Sequence, residues 1–288
     1  MFRVPITLLA VVAMGASTPA SKSAKVLPVS SPSQQLSPND SDGRAYEQND
    51  ARADEHALLD LTNQARVQAG LSRLQMDEGM AAAARAHAAM MVNQEQLSHQ
   101  FPGEPILTQR LAATCMLHLD RAGENVAIAG SVEQAEENLM HSPPHRENLM
   151  NPDYNVAGFA VLRQGDRLYV VEDFAHSLPS YSPRQASDIV IGSIARVRRD
   201  ANLMPLRWLD GGPAETAACA MAKADSLNTR PLPGRHVLRY TTMTPETLPD
   251  AALDAIGDRG DQAFTVNTCF AHTATYPNGV YWVVLVLY

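Results

Sequence analysis

The reading of this chain turns on residues 97–150, LSHQFPGEPILTQRLAATCMLHLDRAGENVAIAGSVEQAEENLMHSPPHRENLM. The run opens on Leu97-Ser98-His99, passes through Gly123-Glu124-Asn125 and closes on His141-Ser142-Pro143-Pro144-His145-Arg146. Two imidazoles and a carboxylate, each at the edge of an expected element, are placed to converge on one site. Ser142 followed by Pro143 reads as a helix start, with Ser at the N-cap and Pro at the first helical position. His145 then falls in the first turn, where the positive end of the helix dipole disfavours imidazolium. A histidine held neutral there is a competent metal ligand or hydrogen-bonding group. His141 is four residues away, but the intervening prolines break any helix that would put both rings on one face. Taken singly, each of these residues is more often structural, and no His-Glu-x-x-His signature occurs.

Working outward, the pattern upstream is helical. From Asp54, the residues Ala57, Leu58, Leu61 and Ala65 form a stripe at helical spacing that Gly70 ends. A second helix is expected over Glu78 to Glu95, with Met80, Ala84, His87, Ala88 and Met91 on one face. His87 reads as a core histidine, and His99 lies just beyond the helix end. Downstream, Ser131 with Gln134 makes a capping box for a helix that turns Val132, Ala135, Leu139 and Met140 inward. Two strands, Asn155–Leu162 and Leu168–Phe174, are joined by Gln164-Gly165-Asp166. Helices followed by a hairpin predict α and β elements in separate layers.

Taken together, these motifs carry a family resemblance. Leu59–Asp77 (LDLTNQARVQAGLSRLQMD), Leu97-Ser98-His99, Gly123-Glu124-Asn125 and Ser142–Met150 (SPPHRENLM) occur in the order and spacing of a bacterial CAP (SCP-like) domain. That superfamily includes cysteine-rich secretory, antigen 5 and pathogenesis-related proteins, and the resemblance covers about residues 54–177. It implies a mixed α/β fold, a three-layer α-β-α sandwich with a cleft lined by two histidines and two acidic residues. His99, Glu124 and His145 match three of these positions, and in some members the histidines hold zinc or another divalent metal. The fourth, an acid three residues after a Trp, is missing: Leu139 stands for the Trp and Ser142 for the acid. The family's links to lipid and sterol binding imply a binding role more than an enzymatic one.

The C-terminal third repeats the pattern in shortened form. Ile194–Leu209 aligns with Thr62–Asp77 at a constant offset of 132, placing Arg198 on Arg66 and Leu206 on Leu74. An alanine-rich helix is expected over Ala214–Leu227, and Val266–Leu287 echoes Asn155–His176 at an offset of 111. We read residues 188–288 as a degenerate CAP-like second copy, its middle shorter by about 21 residues. Chance likeness of helix and strand composition is the alternative. Pro231 stands at the His99 position, no Gly-Glu-Asn is present, and His236 and His272 read as ordinary surface or turn histidines.

At the other end, Met1-Phe2-Arg3, an apolar run to Ala16 and Thr18-Pro19-Ala20 read as an export signal over residues 1–20. Residues 21–50, rich in Ser, Pro, Gln and Asn, read as a disordered linker. No segment approaches the roughly 20 apolar residues of a membrane helix. The formal charge of −8 becomes about −9 once Arg3 is removed, which excludes nucleic acid and anionic lipid as electrostatic partners. Three cysteines in an exported chain allow one bridge. Cys219 on a helix and Cys269 on a strand packed beneath it are the expected pair, with Cys115 buried and free.

The sequence therefore predicts an exported, periplasmic or extracellular binding module. Its His99/Glu124/His145 cleft is expected to take a divalent metal or a small-molecule, lipid or envelope ligand. One alternative is a metal-dependent hydrolase with zinc on His99 and His145 and Glu124 as general base. The other is a structural or interaction protein with a vestigial cleft.

Overall fold

The computed structural model describes residues 38–211 and 216–288. The expected export signal, the linker up to residue 37, and residues 214–215 of the expected alanine-rich helix lie outside the described residues. The chain divides into two units, residues 1–50 and 51–288, and the second carries both sheets. The first helix, α1 (Pro38–Gln68), begins inside the stretch expected to be linker. Residues 38–50 are helical because the Arg, Ala, Glu and Gln that follow Gly43 are good helix formers, which composition alone masks.

The first sheet has four strands, β1 (Gln75–Met76), β2 (His118–Ala129), β3 (Val156–Gln164) and β4 (Arg167–Leu178), in the order β1-β3-β4-β2. β1 runs parallel to β3 and the other pairs are antiparallel. Alternation along β3 and β4 feeds two cores. Ala157, Phe159, Val161, Val170 and Phe174 pack with α1, α4 (Val132–His141) and α5 (Pro143–Leu149) through Leu58, Leu139 and Leu149. Ala160, Tyr169 and Val171 face α2 (Glu78–Gln94) through Ala84, Ala88 and Met91. The layers are α-β-α. The helix α2 starts where Asp77 accepts from Met80 N–H (2.8 Å) and stops at Glu95, whose φ is 49°. Gly158 lets it sit directly on β3, since a Cβ there would lie 2.2 Å from Ala81 N. A short helix not anticipated from sequence, α3 (Leu107–Thr114), follows the His99 loop.

The second sheet is built the same way. Strands β5 (Arg207–Trp208), β6 (His236–Thr242), β7 (Ala263–Ala271) and β8 (Val280–Leu287) take the order β5-β7-β8-β6, with β5 parallel to β7. Along β8, Tyr281, Val283, Leu285 and Leu287 pack on α6 (Pro183–Asp200) and α8 (Asp250–Gly257). Trp282, Val284 and Val286 pack on α7 (Ala217–Ala224). A disulfide joins Cys219 of α7 to Cys269 of β7, and Cys115 is free and buried. His118 of the first sheet sits edge-on to Phe270 (4.8 Å) and Tyr281 (5.6 Å) of the second. No helix among the described residues is long and apolar enough to cross a membrane.

The buried arginines of the two halves do the same job. Arg66 donates from Nε to Ser72 O (2.9 Å) and from Nη1 to Leu149 O and Asn151 O (2.7 and 2.9 Å). Arg198 donates from Nε to Met204 O and from Nη1 to Ile256 O and Asp258 O, all at 2.8 Å. Strand pairing refines the sequence alignment: Val156 and Ala263 hold the same place, as do Phe174 and Leu287. The offset of 111 thus becomes 107 on one strand and 113 on the next. A longer β7–β8 connection, residues 272–279 against 165–166, absorbs the difference. Both corrections are even, so apolar residues keep their faces and the sequence signal is blind to the slip.

Candidate binding cleft

The Gly-Glu-Asn motif lies mid-strand in β2, where Asn125 and Glu124 face different layers. Asn125 donates to His145 O (3.2 Å) and to Glu172 Oε2 (3.1 Å), and Asn148 donates to Asn125 Oδ1 (2.9 Å) and Glu124 O (3.2 Å). These bonds lock α5 onto β2 and so fix His145. Gly123 makes the fit possible, because a Cβ there would meet the Tyr154 hydroxyl at 2.5 Å and Asn148 Oδ1 at 2.8 Å.

Glu124 is buried, and both its oxygens are engaged. His99 donates from Nδ1 to Oε1 (2.9 Å), and Arg110 of α3 donates to Oε2. Arg110 also donates to Glu104 Oε1 (3.0 Å) and contacts His87 Nδ1 (2.8 Å). His87, fully buried, donates from Nε2 to Ser98 O (2.8 Å), which sets the loop that carries His99. His87 is thus a core histidine that aims its neighbour. The side chain of His99 is 56% exposed, against 5% for Glu124.

His145 is the third residue of α5. Ser142 at the N-cap spends its hydroxyl on His145 Nδ1 (2.8 Å) instead of capping the helix backbone. Burial, and then repulsion from His99, lower the His145 pKa, so the ring is neutral at pH 7. The two imidazoles thus interact electrostatically. Each uses Nδ1 on a bracing partner, and among the described residues neither Nε2 has a hydrogen-bond partner. His141 bonds Glu137 O instead (2.8 Å) and takes no part.

Asp173 pairs with Glu124 across β2–β4 and is completely buried. Burial, then the charge of Glu124, push its carboxyl well above the usual range. Sequence reasoning passed over Asp173, Glu104 and Arg110. The available signal was Glu172-Asp173 inside an otherwise apolar strand, since carboxylates are almost never fully buried without partners. Arg110 had no comparable signal.

The Nε2 atoms of His99 and His145, left without hydrogen bonds, are the atoms that a divalent ion would need. A ligating histidine normally has its other nitrogen fixed by a carboxylate or hydroxyl, as here. His99 and His145 would hold the ion through Nε2 and the remaining positions would fall to water or ligand oxygens. Glu124, with both oxygens taken, belongs to the bracing set.

Comparison with known proteins agrees with this architecture. The cysteine-rich secretory protein (CAP) family matches residues 59–174. An uncharacterized membrane protein of Bacillus subtilis, YlbC, is 35% identical over 125 residues, covering 42% of this chain and 34% of its own length. The uncharacterized protein YkwD of the same organism is 31% identical over 114 residues, covering 38% and 43%. The chain thus spans less than half the length of either relative. Among solved structures, an extracellular protein containing a SCP domain from Bacillus anthracis is 25% identical, covering 50% of this chain and 45% of that one, at a TM-score of 0.41. With the motifs in order and the family matched over the same stretch, residues 59–174 form a bacterial CAP superfamily domain.

Proposed function

We propose that this chain is an exported binding module whose cleft holds a divalent metal, or a small envelope or extracellular ligand, between His99 and His145. One observation carries the reading: two neutral-capable imidazoles present bare Nε2 atoms while their Nδ1 atoms are braced by Glu124 and Ser142. Export is supported by the signal-like N-terminus and by the Cys219–Cys269 bridge, since such bonds persist in oxidising compartments. Residues 188–288 act in this reading as a diverged second copy, supported by the shared strand order and the matching Arg66 and Arg198 anchors.

Zinc titration by calorimetry tests the reading. The wild-type chain shows a binding event that both His99→Ala and His145→Ala abolish. At zinc about 100 times the dissociation constant, that event adds about 2.7 kcal/mol of stability. A titration identical in all three proteins, with no saturable binding of envelope lipid or glycan, overturns the reading. The hydrolase alternative needs Glu124 as general base, and the clamp by Arg110 and His99 argues against it. Metal-dependent turnover lost in Glu124→Gln would reverse that ranking. If substituting all three cleft residues changes no ligand profile, the vestigial-cleft alternative takes precedence.

A further inference from the structure

The second sheet carries a donor cluster at a place where the first has none. His236 opens β6, Asp258 follows α8, and Asp261 lies in the loop leading into β7. Strand pairing gives His236 the place of Gly123, and the arginine anchors give Asp258 the place of Asn151. Asp261 sits two residues before β7, as Tyr154 does before β3. Where the first half packs a tyrosine hydroxyl against a glycine, the second sets a carboxylate against an imidazole.

The Asp261 side chain is completely buried, yet neither of its oxygens has a hydrogen-bond partner. His236 Nε2 is also buried and unpartnered. That nitrogen lies 3.6 Å from Asp261 Oδ2 and 3.6 Å from Asp258 Oδ2, too far to bond either. One donor atom from each residue falls within a 4.8 Å span. Ligands around a tetrahedral ion at zinc–nitrogen and zinc–oxygen distances stand about 3.3–3.4 Å apart, so the set needs little closure. Asp258 Oδ1 is anchored by Gly260 N–H (2.7 Å), and Oδ2 faces His236 and accepts from Arg235 Nη2 (3.2 Å). The nearest other cation, Arg235 Nε, is 3.8 Å from Asp261 Oδ1, beyond hydrogen-bond distance, and the Arg235 side chain is half-exposed. A buried carboxylate without a hydrogen bond is costly unless a cation satisfies it.

We propose that His236, Asp258 and Asp261 form a second site, for a divalent transition ion of which zinc is the best match. One imidazole with two carboxylates selects zinc-like ions over calcium or magnesium, which prefer all-oxygen shells. The carbonyl end of α8 adds a favourable potential for a cation. The site is separate from the cleft and does not rest on its reading.

Calorimetric zinc titration of the full chain, disulfide intact and free of any histidine tag, tests it. The cleft variant His99→Ala/His145→Ala retains one binding event, and adding Asp261→Asn or, separately, His236→Gln removes that event. Without metal, Asp261→Asn alone melts at or above the wild-type temperature, because a buried carboxylate without a hydrogen bond is gone. A cleft variant that binds no zinc, or binding that survives both second-site substitutions, overturns the site. A metal-free Asp261→Asn protein that melts below wild type also overturns it, since Arg235 and His236 would then already supply the counter-charge. Failure of the cleft reading looks different: the cleft substitutions leave the wild-type stoichiometry unchanged.

Discussion

The two halves of residues 51–288 share a strand order and an arginine anchor and differ in what they place around it. In the first, Gly123 and Tyr154 close against one another and the chemistry sits one residue on, at Glu124. In the second, Val237 holds the Glu124 position and the polar groups have moved to His236, Asp258 and Asp261. The scaffold is therefore set by backbone anchoring and apolar alternation, while the chemistry is free to move along the strand.

The sharpest test of that likeness is to remove each anchor. Arg66 satisfies four carbonyls, including Tyr154 O, and Arg198 satisfies three. Arg66→Met strands those buried acceptors and is expected to cost about 3 kcal/mol or more in urea unfolding. Arg198→Met is expected to cost nearly as much. If Arg198→Met falls within about 0.5 kcal/mol of wild type, as an ordinary surface change would, the equivalence of the halves breaks.

The halves also differ in how a helix is held to the sheet. Gly158 lets α2 touch β3, whereas the equivalent contact between α7 and β7 is stapled by Cys219–Cys269 across 50 residues. Cys219→Ala/Cys269→Ala is expected to lose about 2–4 kcal/mol. Hydrogen exchange should show the loss of protection confined to α7 and β7. Equal loosening of α2 and β3 would mean that the halves do not respond independently.

What the sequence made legible follows from what carries a local signal. Apolar periodicity located α2, α4 and the β3–β4 hairpin, and the spaced motifs named His99 and Glu124, which the structure joins at 2.9 Å. Period-2 alternation cannot separate registers that differ by an even number, so the strand alignment of residues 266–287 came out shifted. His236 read as an ordinary histidine because its partners, Asp258 and Asp261, lie more than 20 residues on and meet it only through sheet closure. Arg110 was invisible for the same reason. Its helix follows a loop, and nothing near it in sequence announces the buried Glu124 that it neutralises.

Buried titratable groups give the smallest and most specific contrast, because two of them respond to pH with opposite sign. Glu136 of α4 is buried beside Glu172 and accepts one bond, from Thr62 Oγ1 (3.2 Å), and burial raises its pKa to about 7. The folded state then holds a proton that the unfolded carboxyl releases near pH 4.5, so stability is lost as pH rises from about 4.5 through 7. Glu136→Gln should stabilise the chain on the order of 2 kcal/mol at pH 8 and change little at pH 4. His118, buried between the halves, is pushed the other way: burial lowers its pKa, with Asp120 opposing and His272 reinforcing. Its unfolded ring takes up a proton near pH 6.5 that the folded ring resists, so stability is lost as pH falls below about 6.5. In melts from pH 4.5 to 8, Glu136→Gln should reduce the alkaline loss, to which Glu172 and Asp173 also contribute, and His118→Leu the acidic one, to which His145 also contributes. If His118→Leu leaves the acid limb unchanged, the contact of His118 with Phe270 and Tyr281 does not hold a neutral ring. The two halves would then be coupled by apolar packing alone.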